Sequence, residues 1–405
     1  MKVLQINTGV NSGSTGRIAE DIGRLLISGG DDSYIAFARA QGKSASELIK
    51  IGNKAGIYAH VLRTRLLDGH GFGSYHATEQ LLKELRRVDP DVIHLHNIHG
   101  YYIHVGSLFS YLKEAEKPVV WTLHDCWSFT GHCSHFDRVS CMKWKTQCYS
   151  CPLKKRYPSS LLLDRSRSNY RKKKELFTSL DSLTAVAPSL WLANHVKNSF
   201  LKDSDIRVIN NGIDLQVFRP DVETAAVRQK YGLENKSVIL GVTNVWTQTK
   251  GLNDLLELNR SLRPHEQMVL VGMNKKQLKE LPRGIVGVER TDSVEELASF
   301  YALADVYVNP TYLDNFPTTN IEALACGTPV ITYLTGGSAE AIDDKCGIAL
   351  QKGDIAGLRL AIDKMAETER ATLRILCAER ANKLYNKDDR FEEYIALYRA
   401  LIKQQ

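Results

Sequence analysis

Two carboxylates eight positions apart, Asp314 and Glu322, stand in the stretch YLDNFPTTNIEALACGTPV. Asn315, Phe316, Pro317, Thr318 and Thr319 lie between them. Pro317 suits the first position of a helix, where its missing N–H costs nothing. The amides around Thr318, Thr319 and Asn320 then stand at the positive end of the helix dipole, a setting that accepts a diphosphate. Glu322, about one turn further in, reaches a group beside such a phosphate, for instance ribose hydroxyls. Asp314 precedes the helix on the loop leaving a strand, and Gly327 with Pro329 stops the helix after Cys326. Alone, the pair also reads as a dipole-compensating acid and a turn residue. Its surroundings shift that balance. NVWTQTKG puts Lys250 at the end of a post-strand loop, where its ammonium suits phosphate as a point cation. Trp246 in the same loop reads as core. TGGSAE (335–340) is another glycine-rich helix start.

The N-terminal half has its own candidates. TGVNSGSTG follows the first strand with Gly9, Gly13 and Gly16, a spacing that is neither the dinucleotide fingerprint nor a Lys-bearing phosphate loop. It still allows close backbone approach and opens a helix from about Thr15. HLHNIHGYY and WTLHDCW place His96, Asn97, His99, His124 and Asp125 just after two further strands. Cys133, Cys141, Cys148 and Cys151 are spaced C-x7-C-x6-C-x2-C, and the closing pair has zinc half-site spacing. A structural zinc on these four is the expectation, with His132 and His135 as substitute ligands and Cys126 to spare. No cofactor is expected for catalysis.

Strand–helix alternation must position these residues. KVLQIN (2–7), DVIHLHN (91–97), PVVWTLH (118–124), SLTAVA (182–187) and IRVIN (206–210) read as strands of one parallel sheet. SVILGV (237–242), QMVLVG (267–272), IVGV (285–288), DVYVNP (305–310), PVITY (329–333) and GIAL (347–350) read as a second. At 405 residues, two domains are the default. The turn-rich NNGIDLQVFRP (210–220) is the expected linker, and the chain after about Ala356 reads as helix. Ligands of open parallel sheets bind beyond the carboxyl ends of strands, so the cleft between two such domains is the expected site.

Bulk properties exclude other classes. No apolar run approaches the ~20 residues of a spanning helix, and the N-terminus lacks signal-peptide features, so the expected location is cytoplasmic. Between Lys143 and Lys174 there are eleven Lys/Arg against one acid, Asp164. Such a run reads either as a solvated helix face or as attraction to an anionic surface, lipid headgroups or phosphate. Aromatic interleaving for base stacking is missing from it, so no nucleic-acid partner is expected.

NNGIDLQVFRP, the post-strand Lys-Gly, ADVYVNPTYLDNFPTTNIEALACGTPVI and TGGSAEAI, in that order, resemble the retaining glycosyltransferases of family 4, with the GT-B fold, and among them bacterial enzymes of capsular or exopolysaccharide synthesis. The resemblance covers nearly the whole chain. It implies an acceptor-binding Rossmann-like domain over 1–212, carrying a Cys-rich basic insertion at about 126–175. A nucleotide-sugar-binding domain over 213–387 follows, and a helix at about 388–405 packs back on the first domain. Asp314 and Glu322 match the family's paired acids on the donor sugar and ribose, Lys250 its diphosphate Lys, and His124–Asp125 its strand-end His-Asp. Gly13, Gly16 and Asn315 to Thr319 join the donor side; His96, Asn97, His99 and Asp125 are the expected acceptor side. In two places the chain departs from the pattern. Asp314 is one methylene shorter than the usual Glu, and Asn244 replaces an Arg, which leaves diphosphate charge to Lys250, helix amides and Arg17. The implied reaction moves a sugar, with retention and without catalytic metal, from a nucleotide sugar to a glycan hydroxyl. The acceptor would be polyprenyl-pyrophosphate-linked, with peripheral contact to an anionic membrane. A nucleotide-sugar epimerase of the same fold, or a non-catalytic nucleotide-sugar-binding protein, would carry many of the same features.

Overall fold

The computed structural model describes residues 1–404. They divide into two compact units, one formed by residues 1–210 with the chain from Arg390 onward, the other by Asn211–Asp389. Both are α/β units built on a parallel sheet. In the first unit the strands are β1 (Lys2–Asn7), β2 (Asp32–Phe37), β3 (Glu47–Lys50), β4 (Val92–Leu95), β5 (Val119–Thr122), β6 (Leu183–Ala187) and β7 (Asp205–Val208). Their order across the sheet is β3-β2-β1-β4-β5-β6-β7. In the second unit, β8 (Ser237–Val242), β9 (Glu266–Val271), β10 (Ile285–Val288), β11 (Val306–Asn309), β12 (Val330–Tyr333) and β13 (Gly347–Leu350) lie in the order β10-β9-β8-β11-β12-β13.

The central strands are continuous β-branched and aliphatic runs because both faces of a parallel sheet are covered. Every residue of β4, β5, β6, β11 and β12 is buried. β2 and β3 went unseen in the sequence. DSYIAF and ELIK mix polar and apolar residues, and β3 pairs on one side only, with β2, so it lacks the apolar signature of a central strand.

Each sheet reverses direction of growth once. In the first unit the reversal falls between β1 and β4, and in the second between β8 and β11. At such a point the two crossover helices leave on opposite faces, and a crevice opens beyond the strand ends. The loops after β1, β4 and β5 therefore converge in the first unit, and those after β8, β11 and β12 in the second.

The last helix, Lys387–Ile402, presents Phe391, Tyr394, Ile395 and Tyr398 at three- and four-residue spacing. These pack on Val3, Val92, Val120 and Val186, one from each of four adjacent strands. Sequence-distant residues thereby close one face of the first sheet. Among the described residues no helix is long and apolar enough to cross a membrane.

Candidate functional site

In the second unit the Lys250 ammonium lies 2.6 Å from Asp314 Oδ2, a pair only partly buried. Two glycines make this loop pairing possible. Gly251 has φ +75°, and a Cβ there would lie 2.2 Å from Pro310 O, so the Lys-Gly turn sits directly against the loop after β11. The Tyr312 amide donates to Thr249 O across the same seam at 2.9 Å. Gly336 has φ +53°, and its Cβ would meet Asp314 O at 1.6 Å. Gly337 N–H donates to Asn315 O at 2.7 Å. The loop after β12 thus backs the Asp314–Asn315 backbone.

The helix after that loop runs Thr318–Ala325. Pro317 occupies the cap position, with ψ 119°, rather than the first helical position expected from the sequence. Asn320 N–H, expected to be an orphan donor, bonds to Pro317 O at 3.2 Å. Of the three amides expected as orphan donors, that of Asn320 is thus already engaged within the turn. Asn320's side chain ties the helix down: it accepts from Asn309 Nδ2 at 2.7 Å and donates to Ser338 O at 2.9 Å. Phe316 and Asn315 are buried beneath the loop.

Glu322 is 7% exposed and accepts a 2.8 Å hydrogen bond from the Tyr301 hydroxyl. Burial, reinforced by the Glu322 charge, pushes the Tyr301 hydroxyl well above its ordinary range, so it stays a donor. Tyr301 is the partner that sequence reading missed. It lies in an apolar helix, Val294–Leu303, and nothing local marks it. Trp246 is buried and donates to Val271 O at 2.9 Å, the core role expected of it. Asn244 is an exposed loop residue.

In the first unit the helix after β1 begins at Gly13, not near Thr15, and runs to Ser28. Gly13 has φ +67°. Gly16 is buried against Gly9 O, and Arg17 is exposed on that first turn. The β4 loop packs beside it. Thr8 Oγ1 and Tyr102 OH both donate to Asn97 O, at 3.0 and 2.7 Å, and Asn97 Nδ2 lies 3.5 Å from Thr15 Oγ1.

A ladder of histidines rises under this crevice. Gln5 Nε2 donates to Ala19 O at 2.8 Å, which leaves Gln5 Oε1 to accept from His96 Nε2–H at 3.0 Å. His96 Nδ1 is then the acceptor for His124 Nε2–H at 3.3 Å, and the two rings stack with centroids 5.6 Å apart. His96 is 2% exposed with both ring nitrogens bonded. It therefore holds His124 from below instead of lining an acceptor pocket, as the sequence had led us to expect. Below it, His94 donates to Thr122 Oγ1 (2.8 Å) and accepts from Tyr398 OH (2.6 Å), so the C-terminal helix closes the ladder. Burial lowers His124 to about 4, with Asp125 opposing the shift, and lowers His94 to about 3. Both rings are neutral at pH 7. Asp125 faces His99 Nε2 at 3.1 Å and accepts from Trp127 N–H at 2.8 Å. Burial would raise its carboxyl, but His99 and that amide hold it at about 2.

Cys133, Cys141, Cys148 and Cys151, with His132, line one small cavity in the segment after β5. Gly131 N–H points to Cys148 Sγ at 3.2 Å. Among the described residues no group of three or more His, Cys, Asp or Glu side chains is placed to hold one ion. His132 is engaged elsewhere, 2.6 Å from Asp68 in a buried pair. The basic run also holds a surprise. Lys173 is 1% exposed, donates to Trp127 O and Thr130 O at 2.7 and 3.1 Å, and lies 3.3 Å from the Trp127 ring centre. Burial lowers it to about 7, against the opposing pull of Cys148 and Asp125. Lys173 is thus an internal strut, while Arg171, Lys172 and Lys174 beside it are exposed.

Residues 15–217 match the family model described as Glycosyltransferase Family 4, and residues 236–368 that described as Glycosyl transferases group 1. WcaC of Escherichia coli strain K12, named for a glycosyl transferase of colanic acid biosynthesis, is 26% identical over 426 residues, covering 99% of this chain and all of that one. Among solved structures, sucrose-phosphate synthase from Thermosynechococcus elongatus superposes with a TM-score of 0.72 at 17% identity, over 100% of this chain and 99% of that one. Anabaena HepE in complex with UDP-glucose gives 0.66 at 16% identity, over 98% and 99% of the two chains. These likenesses extend over both Rossmann-like units and give the chain the GT-B fold.

Proposed function

Because this chain belongs to glycosyltransferase family 4, we propose that it moves a sugar from a nucleotide-sugar donor to a hydroxyl of a glycan acceptor in the synthesis of a surface polysaccharide. The observation that carries the reading is the Lys250–Asp314 contact beside a helix start whose next turn holds Glu322. In the absence of donor the cation and the short acid neutralise one another. A diphosphate arriving at the Thr318–Thr319 amides takes the Lys250 charge, and Asp314 turns to the sugar hydroxyls. Glu322, fixed by Tyr301, receives the ribose hydroxyls. Charge builds on the leaving diphosphate as the glycosidic bond breaks, and prepositioned amides with Lys250 stabilise it without metal. With no protein nucleophile assigned, the acceptor hydroxyl attacks from the face the diphosphate leaves, and a phosphate oxygen takes its proton. Configuration at the anomeric carbon is retained. Neutral His124, held through Nε2–H, contacts the sugar; Asn97, His99 and Asp125 stand on the acceptor side, and Gly13, Gly16 and Arg17 on the donor side.

WcaC's name supports a role in polysaccharide synthesis, and the basic segment supports a lipid-linked acceptor, a glycan on a polyprenyl pyrophosphate. A structural zinc on Cys133, Cys141, Cys148 and Cys151 belongs to the same proposal. Their spacing and shared cavity support it, and closing them on one ion requires their sulfurs to move together. Zinc near one per chain in purified protein is the expected result, and a value far below one removes the ion.

The decisive assay offers a panel of nucleotide sugars with and without lipid-linked acceptor. Lys250→Ala should lower kcat by about 10²–10³, the usual cost of one electrostatic contact to developing charge, and Glu322→Ala should lower kcat/KM by weakening the hold on the donor ribose. Near-normal turnover in both variants would overturn the assignment. An isomerised donor formed without acceptor would make the protein an epimerase. Donor binding with no nucleotide release under any condition would make it a binding protein.

A further inference from the structure

The first unit carries an apolar surface that sugar transfer does not use. Helix Lys54–Leu67 buries only Ile57, His60 and Thr64. Its outer side sets Tyr58, Leu62 and Leu66 in one line at four-residue spacing, 71%, 59% and 37% exposed. Leu161, Leu162 and Leu163, from the segment after the cysteines, are 55%, 64% and 42% exposed. Main-chain bonds join the two elements: Leu161 N–H donates to Arg65 O at 2.7 Å and Leu163 N–H to Leu66 O at 3.3 Å. The leucine triplet is thereby fixed along the last turn of the helix, and the six side chains make one ridge. Single exposed leucines are ordinary on a soluble surface, but a contiguous group tied to the backbone in this way marks a contact.

The charge around the ridge identifies the partner. The helix contains no Asp or Glu, and Arg63 and Arg65 are exposed on it. Lys155, Arg156 and Arg165 are exposed on either side of the triplet. Asp164, the one acid of the basic segment, is exposed next to the triplet, but its carboxylate is engaged by hydrogen bonds from Cys151 N–H and Ser166 N–H. Aliphatic side chains rimmed by cations, with the nearest acid internally bonded, match the boundary between acyl chains and anionic headgroups. Leucines enter the acyl edge while Arg and Lys stay at the phosphates. A nucleic acid would leave the leucines unpaired.

We propose that this ridge docks the protein on an anionic bilayer. It supplies the location at which a lipid-linked acceptor is met, and in that respect it rests on the function proposed above. Vesicle binding is read without turnover, however, so failure of one reading is distinguishable from failure of the other.

The test is co-sedimentation of the full chain with vesicles of phosphatidylglycerol and phosphatidylcholine, and with phosphatidylcholine alone. Binding to the anionic vesicles that weakens as salt shortens the screening length is the expected result. Leu62→Asp with Leu162→Asp should weaken it by about tenfold or more, since an acid then meets both acyl chain and anionic surface. Arg63→Ser and Lys155→Ser should each weaken it about fivefold, and only on the anionic vesicles. All four positions are exposed, so unchanged melting temperatures verify that the variants fold. Wild-type chain that ignores anionic vesicles, or leucine variants that bind as well as wild type, would overturn the proposal. So would sedimentation analysis in which those variants instead dissolve a dimer, because the ridge would then cover a second copy of this chain.

Discussion

At the residue scale, the chemistry rests on side chains whose partners fix their state. Tyr301→Phe removes the hydroxyl that donates to Glu322 while keeping the ring in place. A hydrogen bond to a charged group contributes about 1.5–3 kcal/mol. The expected result is a lower melting temperature together with a several-fold higher donor KM, measured by calorimetry and steady-state kinetics. The histidines set a pH dependence. His60 and His124 are lowered by burial to about 4 and His94 to about 3, against about 6.5 in the unfolded chain. Between roughly pH 6.5 and pH 4 the unfolded state therefore binds more protons than the native one, and stability falls as pH falls through that window. Melting temperatures should decline from pH 7 to pH 4, with the steepest loss below pH 6.5. Rate profiles should show no His124 titration above about pH 5. Of these residues, Lys250 and His124 were legible as types in post-strand loops, and Glu322 as a type inside the following helix. Tyr301 and Gln5 were not, because a partner supplied from another element leaves no mark in the local sequence.

At the element scale, loops are placed by what presses on them. Gly336 and Gly13 both have positive φ, but only Gly336 faces a neighbour, Asp314 O, where a Cβ would stand. Gly13→Ala should therefore cost only the left-handed backbone penalty, on the order of 1 kcal/mol. Gly336→Ala should add displacement of the Asp314 loop and raise donor KM by tenfold or more. Melting and donor kinetics on both variants compare the two directly, and equal effects would show that the Asp314 loop does not depend on Gly336 for its position. Strand positions were readable wherever burial on both faces made the run continuously apolar. β2 and β3 escaped because DSYIAF and ELIK mix polar with apolar residues and so lack a continuous apolar run. The start of the Thr318 helix was misplaced by one position, since the backbone at Pro317, the last residue of the loop after β11, stays extended with ψ 119°. Lys173 shows the same limit from the other side. A run of four basic residues reads as surface, and helical rotation turned one of them inward.

At the scale of the whole molecule, the last helix is part of the first unit. A chain ending at Asn386 loses Phe391, Tyr394, Ile395 and Tyr398, which leaves Val3, Val92, Val120 and Val186 facing water and His94 without the Tyr398 hydroxyl. It should be recovered mainly as aggregate, whereas Tyr398→Phe should fold with a melting temperature lower by a few degrees; soluble yield and calorimetry test both. By itself the sequence determined the architecture and the family: strand–helix periodicity, two successive series of parallel strands, and motifs whose order is kept along nearly the whole chain. These are local or sequential properties, written in burial pattern and turn chemistry. Only the tertiary structure decided which loops meet. Strand order places the loops after β1, β4 and β5 together in one unit, and those after β8, β11 and β12 together in the other, and no local pattern encodes that order. It also decided which charges are paired, as in Lys250 on Asp314, because neutralisation depends on distances of a few ångströms between residues far apart in the chain.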